Sequence, residues 1–384
     1  MNKPVLASEL IELFLEPQVG LGFTESKWSH VITVLRHEKL LARFGFIAKE
    51  AGVMGGYPEC IQRHYLSAMA LAERHRKQVF SEVQELQKIC TAKAKTWLLL
   101  KGAAYTITNS KAGLGRVYND IDVLVDKMHL AQTEQYMQLS GWLPQAQSSY
   151  DETYYRAWTH EIPPLVHGHR GTVVDLHHNI VPPVSGRAPD MSALYQHIEM
   201  TAEAVPTLSK PALALHSAIH LFFNEECQYG FRDITDIVLL FEEFNEAQWS
   251  TFMALATETD FIIEAELAVH FAHKLFQVQP PKTILERFKS EPSAIQKFRY
   301  WLFAAAVLPK HPFLVQSFTD TKLWCIMLRG HYLKMPIKTL CYHLIMKTYR
   351  GCVESIAGKH FFTPQDVATQ RVQPHPNGPI EKDY

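Results

Sequence analysis

Three aspartates stand at positions from which they could carry out metal-ion chemistry. Asp120 and Asp122 are separated by one residue in the stretch D-I-D-V-L-V. Side chains two residues apart on a β-strand point to the same face, so these two carboxylates would lie side by side. Neighbouring carboxylates repel each other, and a hard divalent cation with oxygen ligands, Mg²⁺ or Mn²⁺, is the natural compensation. The D-x-D spacing therefore predicts a metal site.

Asp175 is a lone acid in a second apolar stretch, V-V-D-L-H, where the pattern favours a buried position. If this strand lies next to the one that carries Asp120 and Asp122, a third carboxylate joins the pair. Three carboxylates can hold two metal ions about 3.5–4 Å apart, which clamp the attacking and leaving oxygens of a phosphoryl displacement. We therefore interpret the three aspartates as the catalytic and metal-binding residues of a nucleotidyl-transfer site.

A glycine turn precedes the acidic stretch. Lys101-Gly102 ends a short apolar strand and comes before a short helix, whose free N–H groups can bind phosphate oxygens. Lys101 or Arg116 would add charge-assisted contacts to a triphosphate. Lys101 could equally cover the sheet edge, and Arg116 could equally brace the loop. His177 shares the face of Asp175 and either contacts nucleotide or acceptor or is a core histidine.

Strand and helix patterns alternate only in the middle of the chain. We predict an α+β fold, in which a small mixed β-sheet core (96–183) is flanked by an N-terminal helical region (1–95) and a C-terminal helical domain (184–362). The polar, proline-bearing tail, 363–384, is predicted to be disordered. The predicted strands of the core are 97–100, 120–126, 154–157 and 172–178, and its predicted helices are 103–110 and 129–139. Outside the core we predict helices over 28–52, 61–90, 211–224, 233–244, 247–257, 263–276, 294–307, 322–333 and 338–349.

Composition and charge narrow the class of protein. The chain has 384 residues, of which 47% are hydrophobic and 20% charged, and its formal net charge is −1. This balance argues against a large basic face for nucleic acid. The six cysteines include no C-x-x-C pair, which argues against a disulfide framework or a structural zinc site. No apolar run approaches the roughly 20 residues that cross a bilayer. We expect a cytoplasmic protein with reduced thiols and no membrane partner.

The segment LLLKGAAYTITNSKAGLGRVYNDIDVLV, followed by VVDLHHNI, resembles the nucleotidyltransferase superfamily typified by DNA polymerase beta. More narrowly, it is similar to an uncharacterised bacterial nucleotidyltransferase family with a K-G-A, R, D-I-D-L-L-V, D-L-H pattern. The resemblance implies that Asp120 and Asp122 ligate the metal. It also implies that Asp175 helps to bind the metal or takes the acceptor's proton, and that Gly102 approaches the nucleotide phosphates. The wider superfamily usually has serine after the glycine, where this chain has Ala103, and a shorter gap to the first acid.

We therefore predict a metal-dependent enzyme that moves a nucleoside monophosphate from an NTP, such as ATP, to an acceptor hydroxyl and releases pyrophosphate. No segment identifies the acceptor, which is a small molecule, a protein or RNA. The alternative is a catalytically silent relative that acts as a nucleotide- or protein-binding module. Arg232 and Asp236, four residues apart, are expected to pair on a helix surface. The predicted nucleotide-binding residues are Lys101, Gly102, Ala103, Arg116 and His177.

Overall fold

The computed structural model of the chain describes residues 6–145, 148–225, 227–289, 292–314, 318–358 and 361. The predicted disordered tail, 363–384, lies outside these residues. Within them, the strands are β1 (Trp97–Leu99), β2 (Asp120–Val125), β3 (Trp142–Pro144), β4 (Leu165–His167), β5 (Val173–His177), β6 (Ile198–Met200) and β7 (Pro206–Leu208). The α-helices are α1 (Ala7–Leu15), α2 (Glu25–His37), α3 (Leu41–Glu50), α4 (Glu59–Lys93), α5 (Lys101–Ile107), α6 (Leu130–Leu139), α7 (Ser149–Trp158), α8 (Met191–Tyr195), α9 (Lys210–Phe223), α10 (Gly230–Glu242), α11 (Glu246–Glu258), α12 (Ile262–Phe276), α13 (Lys282–Lys289), α14 (Ala294–Val307), α15 (Thr319–Lys334) and α16 (Ile337–Ala357).

The described strands form one mixed sheet in the order β3-β4-β5-β2-β1-β7-β6. β2 pairs with β1 in antiparallel and with β5 in parallel orientation, so it lies at the centre. One face of β2 carries Ile121, Val123 and Val125, which are at most 2% exposed and enter the hydrophobic core. The acidic residues of β2 therefore face the other side. The structure confirms the α+β class and the mixed sheet with helical flanks.

One predicted strand is wrong. Residues 154–157 belong to α7. Ser148 caps this helix by accepting a hydrogen bond from the Asp151 N–H at 3.1 Å. The first turn contains acidic residues, whose negative charge is stabilised by the positive end of the helix dipole. The tyrosine-rich sequence that suggests a strand instead packs one helix face against α16, where Tyr154 lies beside His343. Tertiary packing overrides the local β-propensity.

The N-terminal helices contain one break that was not predicted. The predicted helix over 28–52 is divided into α2 and α3, because Lys39 adopts a left-handed backbone conformation with φ of 57°. The predicted helix over 61–90 is α4, which spans 35 residues and packs against α3, α5 and α6. α4 therefore connects the N-terminal helices to the sheet core.

The C-terminal part contains the predicted helices and two strands that were not predicted. β6 and β7 are each three residues long, too short for a periodic pattern, and β7 pairs in parallel with β1. The sheet thus extends past residue 183. α9 packs against α10, α11 and α12 and also touches α5, which places the C-terminal helices beside the sheet. Among the described helices, none combines the length and the apolar character that a bilayer crossing requires.

Candidate active site

The pairing of β2 with β5 places two aspartates opposite each other. In the parallel register Asp122 is the partner of Asp175, and Asp120 is two residues earlier on the same face of β2. The strand adjacency on which the three-aspartate hypothesis depends is therefore present. The register also places His177 on the face that carries Asp175.

A cavity of about 460 Å³ lies between this edge of the sheet and the C-terminal helices. The sheet side contributes Asp120 and Asp122, and the turn before α5 contributes Lys101 and Gly102. The helical side includes residues of α7, α9, α10 and α15. Charged residues on the wall are Lys101, Arg116, Asp120, Asp122, Glu161, Glu225, Arg232, Asp233, Asp236 and Lys334. A polar space with both signs of charge, rather than an apolar pocket, adjoins the acidic strand.

Asp122 is the most constrained of the three aspartates. It is 5% exposed, and its Oδ1 lies 2.7 Å from the Lys101 Nζ and 3.0 Å from the His177 Nε2. Burial by itself would raise the pKa of the Asp122 carboxyl, but the charge of Lys101 and the hydrogen bond from His177 hold this pKa well below its usual range. Asp122 is therefore ionised, with two cationic or potentially cationic neighbours.

Asp120 is exposed to the cavity. Removal from bulk water, and then the negative charge of Asp122, raise the pKa of the Asp120 carboxyl, although Lys101 and Arg116 act in the opposite direction. The repulsion between these two carboxylates is the effect that the D-x-D spacing predicts. A cation bound between them would remove it.

Asp175 is half-buried, and its Oδ1 is buried without a hydrogen-bond partner among the described residues. Burial raises the pKa of the Asp175 carboxyl to about 7, and the charges of Asp122 and Glu161 act in the same direction. Asp175 and His177 are not among the described residues that line the cavity. Asp175 thus lies beside Asp122 on the adjacent strand, outside the cavity wall, with one oxygen that has no hydrogen-bond partner among the described residues.

The backbone of the glycine turn lies close to the side chains of Arg116 and Tyr118. Lys101 has a φ of 46°, a left-handed conformation that costs a non-glycine residue about 1–2 kcal/mol. A Cβ on Gly102 would lie 2.7 Å from the Arg116 Nε and 2.9 Å from the Tyr118 Cε1, so a side chain here would displace the cavity wall. Ala103 is 2% exposed and belongs to the core rather than to the wall.

Arg116 lies on the cavity wall and is held by a buried ion pair with Asp236. The expected pairing of Arg232 with Asp236 is wrong. Arg232 pairs instead with Asp233 at 2.8 Å, because Asp236 on α10 points inward to Arg43 and Arg116. Arg116 therefore contacts α10 through Asp236, and its guanidinium also lies next to the cavity.

Sequence reasoning did not identify His160 and Glu161 as site residues. They follow α7 after one intervening residue, Thr159, and Glu161 forms an isolated antiparallel bridge with His177. The Glu161 Oε2 lies 3.3 Å from the His177 Nδ1, and the His160 and His177 ring centroids are 5.3 Å apart. No local pattern in the sequence marks these two residues, because they meet His177 only through the contact between their segment and β5.

Among the described residues, the group of three acidic, histidine or cysteine side chains whose potential ligand atoms all lie within 4.8 Å of one another is His160, Glu161 and His177. The three aspartates do not form such a group in this structure. The Asp122 carboxylate is occupied by Lys101 and His177, while Asp175 lies on the neighbouring strand.

A family model described as uncharacterised nucleotidyltransferase matches residues 24–277. The matched region begins just before α2 and ends after α12, so it includes the whole sheet and every wall residue named above except Lys334. The comparison with curated proteins gave no match.

Proposed function

The chain belongs to the family of uncharacterised nucleotidyltransferases, and on that premise we propose that it moves a nucleoside monophosphate from an NTP to an acceptor hydroxyl, with release of pyrophosphate. The observation that supports this proposal most is the placement of Asp120 and Asp122 on the wall of a cavity, with Asp175 opposite Asp122 on the adjacent strand. Acids in this arrangement, beside cationic side chains, suit the charges of a triphosphate and its metal ion.

We further propose that Asp120, Asp122 and Asp175 hold the divalent cation, Mg²⁺ or Mn²⁺. The residues fit such a cation, because their donors are all carboxylate oxygens and the Asp175 Oδ1 is buried without a hydrogen-bond partner. A second reason is the negative charge of Asp122, which after burial is the next cause of the raised pKa of the Asp120 carboxyl and which a bound cation would offset. When bound, the ion would neutralise phosphate charge and polarise the reacting phosphoryl group.

Basic residues on the cavity wall supply the nucleotide contacts in this proposal. Lys101, Arg116 and Arg232 all line the cavity, and Arg116 is fixed by Asp236. A guanidinium held by a buried carboxylate loses little conformational freedom when it binds a phosphate oxygen. The absence of a side chain at Gly102 lets Arg116 and Tyr118 pack directly against the backbone of this turn, which places the Arg116 guanidinium where it can contact a phosphate.

An adjoining cavity of about 1060 Å³ offers room for the acceptor. It lies between α7, α15 and α16 and shares Tyr154, Tyr155, Glu225 and Gln228 with the cavity beside the aspartates. Its wall mixes aromatic rings with both signs of charge, including Trp324. An acceptor bound here could extend a hydroxyl group towards the acidic strand.

The proposal is tested by incubating the full chain with Mg²⁺ or Mn²⁺, each labelled NTP in turn, and a cell extract. We expect label to appear in one acceptor, and Asp120→Asn and Asp122→Asn to reduce the labelling by about 10²-fold or more. Asp260→Asn, which changes a side chain that is 83% exposed, is the matched control and should label normally. Equal labelling by the wild type and both cavity variants would refute the proposal.

The Lys101–Asp122 ion pair also favours a second candidate, a catalytically silent protein that binds a nucleotide or a protein partner. Lys101 already neutralises part of the charge that a metal ion would otherwise compensate. The two candidates differ in metal dependence. A silent protein should bind NTP with an affinity that does not change when Mg²⁺ or Mn²⁺ is added, whereas the enzyme should bind NTP more tightly with the ion.

A further inference from the structure

Three side chains beside the acidic strand bring potential nitrogen and oxygen ligand atoms close together. These are His160, Glu161 and His177, whose potential ligand atoms all lie within 4.8 Å of one another. The Nδ1 atoms of both His160 and His177 are buried and have no hydrogen-bond partner among the described residues. Buried polar atoms are almost always hydrogen-bonded, so two orphaned imidazole nitrogens in one cluster call for a ligand.

His177 is oriented as metal-binding histidines are. It is 2% exposed, and its Nε2 lies 3.0 Å from the Asp122 Oδ1. A histidine that ligates a metal through one nitrogen usually donates the N–H of the other to a carboxylate, which fixes the tautomer and the ring plane. With the proton on Nε2, the Nδ1 lone pair is free on the side where the Glu161 Oε2 lies at 3.3 Å.

We propose that His160, Glu161 and His177 form a binding site for a divalent transition-metal ion such as Zn²⁺. Two imidazoles and one carboxylate suit Zn²⁺ and its neighbours, whereas Mg²⁺ prefers oxygen ligands alone. The site is separate from the carboxylate site proposed for Mg²⁺ or Mn²⁺, and the two are joined through the His177–Asp122 hydrogen bond.

The site has an open side. His160 and Glu161 line the cavity beside the aspartates, so a fourth ligand can reach the ion from there. Three protein ligands and an open position are typical of catalytic rather than structural zinc sites. The fourth ligand would be a water molecule or an oxygen of the acceptor, held close to Asp122.

Binding of Co²⁺ to the full chain tests this inference, because Co²⁺ occupies zinc sites and its visible absorption reports the ligands. Excess Mg²⁺ is included to occupy the carboxylate site. We expect one Co²⁺ per chain, displaced by Zn²⁺, with no thiolate charge-transfer band, which separates this site from the exposed cysteines Cys60, Cys341 and Cys352.

The variants distinguish this site from its surroundings. Glu161→Gln and His160→Ala should each weaken Co²⁺ binding at least about tenfold, and Asp122→Asn, which loses the partner of His177, should weaken it about 10–100-fold. Glu199→Gln and His197→Ala are the matched controls and should bind Co²⁺ normally. Glu161→Gln changes a side chain that is 27% exposed, so its fold should survive, and circular dichroism checks this for every variant.

Two results would overturn the inference. One is a wild-type chain that binds no stoichiometric Co²⁺ in the presence of Mg²⁺. The other is a Glu161→Gln variant, folded by circular dichroism, that binds Co²⁺ as the wild type does. Neither result depends on nucleotidyl transfer, so failure of this inference and failure of the proposed function are distinguishable.

Discussion

Arg43 of α3 and Asp236 of α10 form a buried ion pair, with 2.7 Å between the Arg43 Nη2 and the Asp236 Oδ1 and side chains that are only 2% and 4% exposed. Arg43 also donates to the Thr235 Oγ1 at 2.8 Å and to the Ala112 carbonyl at 2.6 Å. Asp236 is shared with Arg116 on the cavity wall. The pair therefore connects the N-terminal helices, the loop before β2 and the C-terminal helices.

Asp236→Ala should destabilise the protein by about 3–5 kcal/mol, because it leaves two buried guanidinium groups without their carboxylate. Urea unfolding of the variant and the wild type measures the difference. Asp260→Asn, at a position that is 83% exposed and whose left-handed backbone asparagine tolerates, should change the free energy of unfolding by no more than about 0.5 kcal/mol. An Asp236→Ala loss as small as that of the control would mean that the ion pair contributes little.

Gly102→Ala should weaken NTP binding about tenfold, which corresponds to about 1.4 kcal/mol. The new Cβ would come within 2.7 Å of the Arg116 Nε and would push this guanidinium, or the backbone, out of place. Gly55→Ala is the control, since its Cβ would meet nothing within 4 Å. Titration of each folded variant with NTP and Mg²⁺ gives the affinities. An unchanged affinity for Gly102→Ala would show that the packing of Arg116 against this turn does not contribute to NTP binding.

Lys101→Met should weaken NTP binding roughly 10–100-fold if the ammonium group contacts phosphate, as charge-assisted hydrogen bonds contribute about 1.5–3 kcal/mol. The same substitution removes the partner of Asp122 at 2.7 Å. Lys111→Met, at a lysine side chain that is 60% exposed, controls for the loss of one positive charge. If Lys101 only covers the sheet edge, NTP affinity will match that of the control while stability falls.

Stability should depend on pH through Glu38, which is 1% exposed and has a buried Oε2 without a hydrogen-bond partner among the described residues. Burial raises the pKa of the Glu38 carboxyl from 4.5 to about 7, against the opposing hydrogen bond from the Lys310 N–H. The folded state therefore keeps a proton that the unfolded state loses between these two values. The Glu38 contribution to the free energy of unfolding should therefore fall as the pH rises through this window, and it should be lowest above the folded-state pKa of Glu38.

Glu38→Gln should reduce this slope without removing it, because the pKa of the Asp175 carboxyl is also raised to about 7 and gives a slope of the same sign. The variant should be more stable than the wild type at about pH 8, by roughly 2–3 kcal/mol. Urea unfolding at about pH 5 and about pH 8 measures both effects. Glu59→Gln, on a side chain that is 77% exposed, is the comparison and should retain the wild-type slope. A Glu38→Gln variant with the wild-type pH profile would assign the slope to other groups.

The local sequence pattern determined several secondary-structure elements and the family of this protein. Alternation along D-I-D-V-L-V predicted that Asp120 and Asp122 share a face, because the two-residue period of a strand is a property of the backbone itself. A composition rich in helix-forming residues likewise predicted the long helix α4. The resemblance at K-G-A and D-I-D placed the chain in the nucleotidyltransferase family, and the family match confirms it.

Long-range packing decided the rest. The strand predicted over 154–157 is a helix because its aromatic face has a helical partner far along the chain, in α16. Asp236 pairs with Arg43 and Arg116, and not with its neighbour Arg232, because α10 turns that carboxylate into the core. His160 and Glu161 reach His177 only through the fold. Sequence spacing fixes which side chains share a face of one element, whereas the partner that satisfies a buried charge depends on which elements meet.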